Sequence, residues 1–348
     1  MTPDSKAITF FRSAFEAFQR AERDMKITVD RFYSIGGYSI RLRFAGSALV
    51  PLMTPALEHL ATTHHGSPSL TICLWDSEST GTVMPAPPWS LEDYSARGEV
   101  QAHDDDRYFA ACHKGSGALS ILDRSAGSAL WWIRRASLVP FYETGAPLLT
   151  ILHWWMLGRG LQVVHAGAVG TPEAGVLLVG RGGSGKSTAS LACLGSELLY
   201  VGDDYCLVRT ASDPFVFSLY NSGKLDPDQI KKFPDLTSAA NNTDRIATEK
   251  VLFLLSRHYS SKIIRGFPIR AIFVLRITGR PETTLSAISA GAALRAVAPN
   301  TLFQLPHAGR STFHEIAALS KQVPCYQLNV GSELQGIPEV ILNFLSDG

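Results

Sequence analysis

The chain lacks charge imbalance: 32 lysines and arginines face 31 aspartates and glutamates, leaving +1 over 348 residues. Without a basic excess there is no field to gather DNA or RNA or to hold an anionic membrane surface, so neither nucleic acid nor membrane is expected as a partner. Cysteine is scarce. Cys73, Cys112, Cys193, Cys206 and Cys325 stand far apart with no C-x-x-C pair. This argues against a disulfide framework or a zinc site and for the reduced thiols of a cytoplasm, the expected location. Long apolar runs are missing too. The best, Leu148 to Leu157, is interrupted by His153 and is too short to span a bilayer, and the first 25 residues are too charged for a signal peptide. No internal repeat or low-complexity tract stands out. What remains, 45% hydrophobic and 18% charged residues, is a globular composition, and the length points to two domains or to one large domain with an appendage.

One stretch carries chemistry. Gly180-Arg181-Gly182-Gly183-Ser184-Gly185-Lys186-Ser187 fits the phosphate-binding loop pattern G-x-x-x-x-G-K-[ST]. The context agrees: Val176 to Val179 reads as a short buried strand, and Ser187 to Leu194 as a helix. Glycines let backbone N–H groups turn inward around an anion, and the helix start adds partial positive charge. Gly180, Gly182, Gly183, Ser184, Gly185, Lys186, Ser187 and Thr188 are therefore the expected nucleotide contacts. Lys186 can reach the β- and γ-phosphates, and the Ser187 hydroxyl can hold Mg²⁺.

A second apolar strand, Leu198 to Gly202, ends in Asp203-Asp204. An acidic residue at the C-terminal end of a neighbouring strand is where a Mg²⁺ ligand belongs in a doubly wound sheet. Two adjacent carboxylates allow one to hold the metal while the other accepts a proton from an attacking hydroxyl. A lone Asp-Asp pair is often a polar strand exit, but beside a phosphate loop that reading loses weight.

His165, the loop, and a strand ending in Asp-Asp together resemble the HPr kinase/phosphorylase family, whose nucleotide-binding core is that of phosphoenolpyruvate carboxykinases. Trp154-Trp155, "HAGAVG", "GRGGSGKST", "GDDY", "SLYNSGKLD" and "APNTLFQLP" further resemble the HPr-kinase-related proteins of lasso-peptide biosynthesis, some of which phosphorylate a serine of the precursor peptide. The resemblance implies an α/β P-loop kinase core; the residue pattern, punctuated at Gly158-Arg159-Gly160, places that core over 159–348 and a smaller, mostly-β (α+β) N-terminal domain over 1–158. The resemblance makes Asp203 the catalytic base, Asp204 its metal-associated neighbour, and His165 a group beside the transfer site, although a core histidine on a strand is an equal reading. The family's further glycine-rich signature, tied to phosphorylase activity, has no match in the region after the acidic pair. This puts the reverse reaction, and HPr itself as substrate, in doubt.

Residues 5–25 read as an amphipathic helix with Phe11, Phe15 and Phe18 at helical spacing. Tyr38 to Phe44 alternates as a strand, Leu70 to Trp75 is another, and Leu119 to Leu122 with Ala129 to Ile133 reads as a hairpin. The edges and loops of this part are candidates for gripping a peptide. His103-Asp104-Asp105-Asp106 is read as a solvated turn and given no site. Pro147 to Leu157 reads as a helix, and Trp131, Trp132, Trp154 and Trp155 are expected between the domains. Lys224, in a Gly-Lys-Leu-Asp turn, and Arg276, at the end of the strand Ala271 to Arg276, are candidate phosphate contacts, with exposed surface residues the bland alternative. Asp235 to Lys250 is expected to be a mobile loop or lid.

The leading expectation is an ATP- and Mg²⁺-dependent serine kinase acting on a peptide or protein, with a lasso-peptide precursor as the candidate substrate. A small-molecule kinase or carboxykinase-like enzyme, and a non-catalytic ATP-sensing module, are the alternatives. No N-K-x-D guanine signature or L-S-G-G-Q-like segment is present. Oligomeric state is not legible, so a homo-oligomer stays open.

Overall fold

The computed structural model describes residues 3–63, 66–100, 107–211, 213–244, 246 and 249–347. The run His103 to Asp106 lies outside them. The chain forms two compact units: 1–157 with Leu305–His307, and 158–304 with 308–348.

The first unit is built on a six-stranded sheet of β1 (Thr28–Ile35), β2 (Tyr38–Ala45), β3 (Leu70–Asp76), β4 (Tyr108–Cys112), β5 (Leu119–Asp123) and β6 (Ser128–Ile133), in the order β1-β2-β3-β6-β5-β4. The expected hairpin is β5–β6, closing between Asp123 and Ser128. β2, β3 and β6 run parallel. The helix Pro3–Met25 turns Phe10, Ala14, Ala17, Phe18 and Ala21 onto Trp75, Ile121 and Leu130 of the sheet. Three alanines on that face let the helix lie close, while the two phenylalanines supply most of the apolar area. Trp131 and Trp154 are buried in this unit. Trp154 donates its indole N–H to the carbonyl of Pro306, and Trp132 donates to Ser77 Oγ.

The second unit is a mixed sheet with helices on both faces. Its strands are β7 (Leu161–Val164), β8 (Gly167–Gly170), β9 (Gly175–Val179), β10 (Leu199–Gly202), β11 (Cys206–Arg209), β12 (Phe215–Phe217), β13 (Ser222–Leu225), β14 (Val251–Leu254), β15 (Gly266–Ile277), β16 (Thr284–Ala287) and β17 (Cys325–Val330). One path runs β10-β8-β9-β15-β12-β11-β7, β17 and β16 join beyond β15, and β13–β14 form a separate ribbon. β9, β15 and β17 are parallel. Because strand side chains alternate, Val176 and Leu178 enter one core, shared with Leu191 and with Ile337 and Ile341 of helix Gly336–Ser346. Leu177 and Val179 enter the other, shared with Ala293 and Val297 of helix Ala290–Gln304 and Ile316 and Leu319 of helix Arg310–Gln322. Burial on both faces is why β9 reads as a continuous apolar run.

The polar stretch expected to be a mobile lid is packed in its described part. Pro234–Ala239 is a 3₁₀ helix burying Leu236 and Ala239. The Asn242 side chain donates to the Lys250 carbonyl and accepts from the Leu252 N–H, each at 2.8 Å. Counting polar residues missed this because one buried asparagine satisfies the backbone that the loop leaves open. No helix among the described residues is long and apolar enough to cross a membrane.

Candidate functional site

Topology brings three sequence-distant points to one edge of the sheet. β8 and β9 are antiparallel, and so are β8 and β10. The start of β8 therefore lies at the same end as the C-termini of β9 and β10. His165 precedes β8, the glycine-rich loop follows β9, and Asp203-Asp204 follows β10. The acidic strand is not adjacent to β9, as the doubly wound expectation had it, because β8 lies between them. The intervening strand is thin where it must be. A Cβ on Gly167 would lie 2.3 Å from Ser190 Oγ, so only glycine lets the helix after the loop approach the sheet there.

The loop has the conformation its glycines permit. Gly183 and Gly185 have φ of 76° and 91°, and Gly185 precedes the helix Lys186–Ala192. A Cβ on Gly180 would meet Ser184 Oγ at 2.5 Å. Lys186 is buried, and its ammonium donates to the carbonyls of Gly180 at 2.9 Å and Arg181 at 3.3 Å. Burial lowers its pKa, with Asp203 and Asp204 pulling the other way.

The two aspartates sit in different environments. Asp204 is bracketed by cationic or hydrogen-bonding groups: His165 Nε2 is 2.7 Å from Oδ1 and Lys224 Nζ is 3.0 Å from Oδ2. Burial pushes its carboxyl up, but the hydrogen bond from His165 and the charge of Lys224 outweigh this and hold it well below the usual carboxylate range. Asp203 is 2% exposed. Its Oδ2 accepts the Lys224 N–H at 3.2 Å, and its Oδ1 is buried without a hydrogen-bond partner. Burial first, then the charge of Asp204, raise it to about 7, against the opposing pull of the Lys224 N–H, the Ser187 hydroxyl and Lys186.

Lys224 lies on β13, paired with Leu252 of β14, rather than in a turn. This fixes both its backbone N–H and its ammonium against the acidic pair. A cavity of about 800 Å³ lies over these groups, lined by His165, loop residues 182–188, Asp204, Tyr205, Lys224 and Lys250 among others. Asp203 is not on its wall. Arg276 is not there either: it lines a second cavity of about 410 Å³ that shares Gly182, Gly183, Ser184 and Ile277 with the first. Strand order explains this. β15 flanks β9 on the side away from β8 and β10, so the end of β15 opens across the loop from the acidic pair.

Three residues of helix Ala290–Gln304 were not singled out as site residues by the sequence. Asn300 donates its side-chain amide to the Gly180 carbonyl at 2.7 Å, Thr301 Oγ1 accepts the His165 N–H at 3.1 Å, and Gln304 accepts the Tyr205 hydroxyl at 2.9 Å. The available signal was Pro299 inside a helix, followed by polar residues in an otherwise apolar segment. Among the described residues no cluster of three or more His, Cys, Asp or Glu side chains forms a metal site.

No protein-family model matches the chain, and no curated protein sequence does. Among solved structures, it is similar to the Hpr(Ser) kinase/phosphatase of Coxiella burnetii at 11% identity, covering 53% of this chain and 97% of that one, with a TM-score of 0.31. This is a distant resemblance, and a likeness at that score carries no functional weight.

Proposed function

We propose that the chain is an ATP-dependent kinase transferring the γ-phosphoryl group to a serine hydroxyl of a peptide or protein, with a lasso-peptide precursor as the candidate that the sequence resemblance supplies. The observation that carries the proposal is Asp204. This carboxylate is held between His165 and Lys224 on the wall of a cavity whose floor is the glycine-rich loop. An arrangement for phosphoryl transfer needs amides and a lysine for phosphate charge, and a positioned carboxylate facing the acceptor.

The residues fit Mg²⁺. Mg²⁺ is usually bound by one or two carboxylates together with substrate phosphates. The Lys224 ammonium at Asp204 Oδ2 repels a second cation there, while the carboxylate keeps lone pairs for a hydroxyl; Asp203 Oδ1, by contrast, is buried, unpartnered and in a carboxylate with Ser187 beside it. Ser187 and Asp203 would hold the ion, which when bound neutralises charge developing between the β- and γ-phosphates. The sequence expectation gave the metal to Asp204 and the base to Asp203, and the geometry favours the opposite division. Asp204 then accepts the hydrogen bond of the acceptor hydroxyl and aims it in line. Its depressed basicity is tolerable because a loose transition state demands little proton removal before the phosphoryl group has moved. Lys224 adds positive charge beside the transferring group, and Lys186 releases the loop carbonyls to meet the phosphates.

The test is incubation with γ-labelled ATP and candidate peptides, with the labelled residue located by mass spectrometry. Label on a peptide serine supports the proposal. Label only on a metabolite selects the small-molecule kinase, and binding of ATP without any transfer selects the sensor.

A further inference from the structure

A third cavity, of about 490 Å³, lies at the far end of helix Lys186–Ala192 from the glycine-rich loop. Its floor is apolar: Leu191, Leu194, Phe233, Leu236 and Pro338 are buried there. Leu334 and Leu342 line it half-buried, just before and within helix Gly336–Ser346. Asp235 and Glu339 are exposed on its lining, and neither makes an ion pair with a described residue. A close-packed core leaves no such hollow, whereas an apolar floor with a few polar groups is the form of a ligand site.

This cavity continues from the catalytic one. Lys232 lines both. Thr188 lines the catalytic cavity and Ala192 the third, and the two stand half-buried four positions apart on one helix face. Gln229 and Lys232 repeat this on the 3₁₀ helix Pro227–Lys232, where side chains three apart eclipse. The two elements serve as rulers. From Ser187 to Leu194 the chain rises about 10 Å at about 1.5 Å per residue. From Asp228 to Phe233 it rises about 10 Å at about 2 Å per residue. An extended peptide covers that distance in about three residues, at roughly 3.3 Å each.

Charge points to the same occupant. Asp204 is paired with Lys224, and Asp226 with Lys250 at 3.4 Å. With Lys186 committed to phosphate, Asp228, Asp235 and Glu339 remain against Lys232 around the two cavities, an acidic excess. A serine hydroxyl offers almost no surface to recognise, so a kinase acting on a flexible peptide draws selectivity from contacts remote from the reacting atom.

We propose that the third cavity anchors the acceptor peptide. It takes one large apolar side chain about three or four residues from the acceptor serine, with basic residues beside that anchor meeting Asp235 and Glu339. The assignment rests on the reading of the chain as a peptide kinase and supplies the selectivity of that kinase.

The experiment measures transfer from γ-labelled ATP to serine peptides in a glycine–alanine background. One leucine or tryptophan is moved through the positions on either side of the serine, flanked by lysine or by glutamate. kcat/KM should rise about tenfold or more, the scale for burying one large apolar side chain, when the apolar residue stands about three or four positions away on one side. The gain should come through KM, and lysine flanks should outperform glutamate. Leu334→Gln/Leu342→Gln should erase the apolar preference, with ATP affinity and transfer to the unanchored peptide unchanged, which also reports an intact fold. Asp235→Lys/Glu339→Lys, at exposed positions, should keep the apolar preference and reverse that of the flanks. No positional preference, one that survives the leucine substitutions, or a flank preference untouched by charge reversal overturns the anchor and leaves the peptide kinase standing. A loss shared by all peptides also overturns it and gives the cavity to another occupant: a second copy of the chain if sedimentation shifts from dimer to monomer, a small effector if it does not. Label on no peptide of the set removes the peptide-kinase reading itself, and the anchor falls with it.

Discussion

Asn300 donates its side-chain amide to the carbonyl of Gly180, the first residue of the glycine-rich loop, at 2.7 Å. The same carbonyl accepts from Lys186 at 2.9 Å, so one oxygen couples a helix late in the chain to the loop and its lysine. When Lys186 turns toward phosphate, Asn300 is the partner that remains. Asn300→Ala should weaken ATP affinity about threefold to thirtyfold, the range of one to two hydrogen bonds in a partly buried site, while leaving the far-ultraviolet circular dichroism unchanged. Calorimetry on the variant decides this, and wild-type affinity would remove Asn300 from the site.

Lys186 is the buried cation of the loop, held by two carbonyls. Lys186→Ala should lower ATP affinity and nearly abolish transfer, by roughly 10²-fold or more in turnover, since a charge-assisted contact to the moving phosphate is lost. Steady-state transfer and ATP titration check it together. Unchanged values for both would defeat the phosphate-site reading.

The two aspartates should fail differently. Asp204→Asn keeps the shape and removes the charge that Lys224 and His165 clamp, so transfer should fall by roughly 10²-fold with little change in the Mg²⁺ concentration needed. Asp203→Asn should shift the Mg²⁺ requirement upward, and raised Mg²⁺ should restore part of the activity. Single-turnover transfer across a Mg²⁺ titration separates them. The reverse pattern would return the metal to Asp204.

Asp203 also predicts a pH signature in the ligand-free protein. Its folded-state pKa of about 7 lies above the ordinary 3.8. The folded state therefore binds more protons than the unfolded one between those values, and stability from this group falls as pH rises from about 4 to about 7. Asp204 has the opposite sign: its depressed carboxyl stabilises above the ordinary range and is lost only as pH falls below it. Asp203→Asn removes the buried charge and can still accept the Lys224 N–H. Its Tm should exceed that of the natural protein at pH 8, by roughly 2–4 °C for each kcal/mol relieved, with the gap closing toward pH 4. Thermal melts across pH test this, and a gap that widens toward acid would contradict the placement of Asp203.

The sequence by itself determined the strand, loop and helix around Lys186, because apolar run, glycine spacing and helix start are local signals that neighbours in the chain decide. It also placed Asp203-Asp204 at a strand end, and the β5–β6 hairpin of the first unit. Tertiary structure decided the rest, for reasons of register and strand order. β8 inserts between β9 and β10, which brings His165 to Asp204 across 39 positions in the chain. Pairing of β13 with β14 turns an apparent surface lysine into the partner of both aspartates. Placement of β15 on the far side of β9 sends Arg276 away from them. Which carboxylate is buried and which is ion-paired depends on what packs over each, and two adjacent aspartates look the same in a sequence.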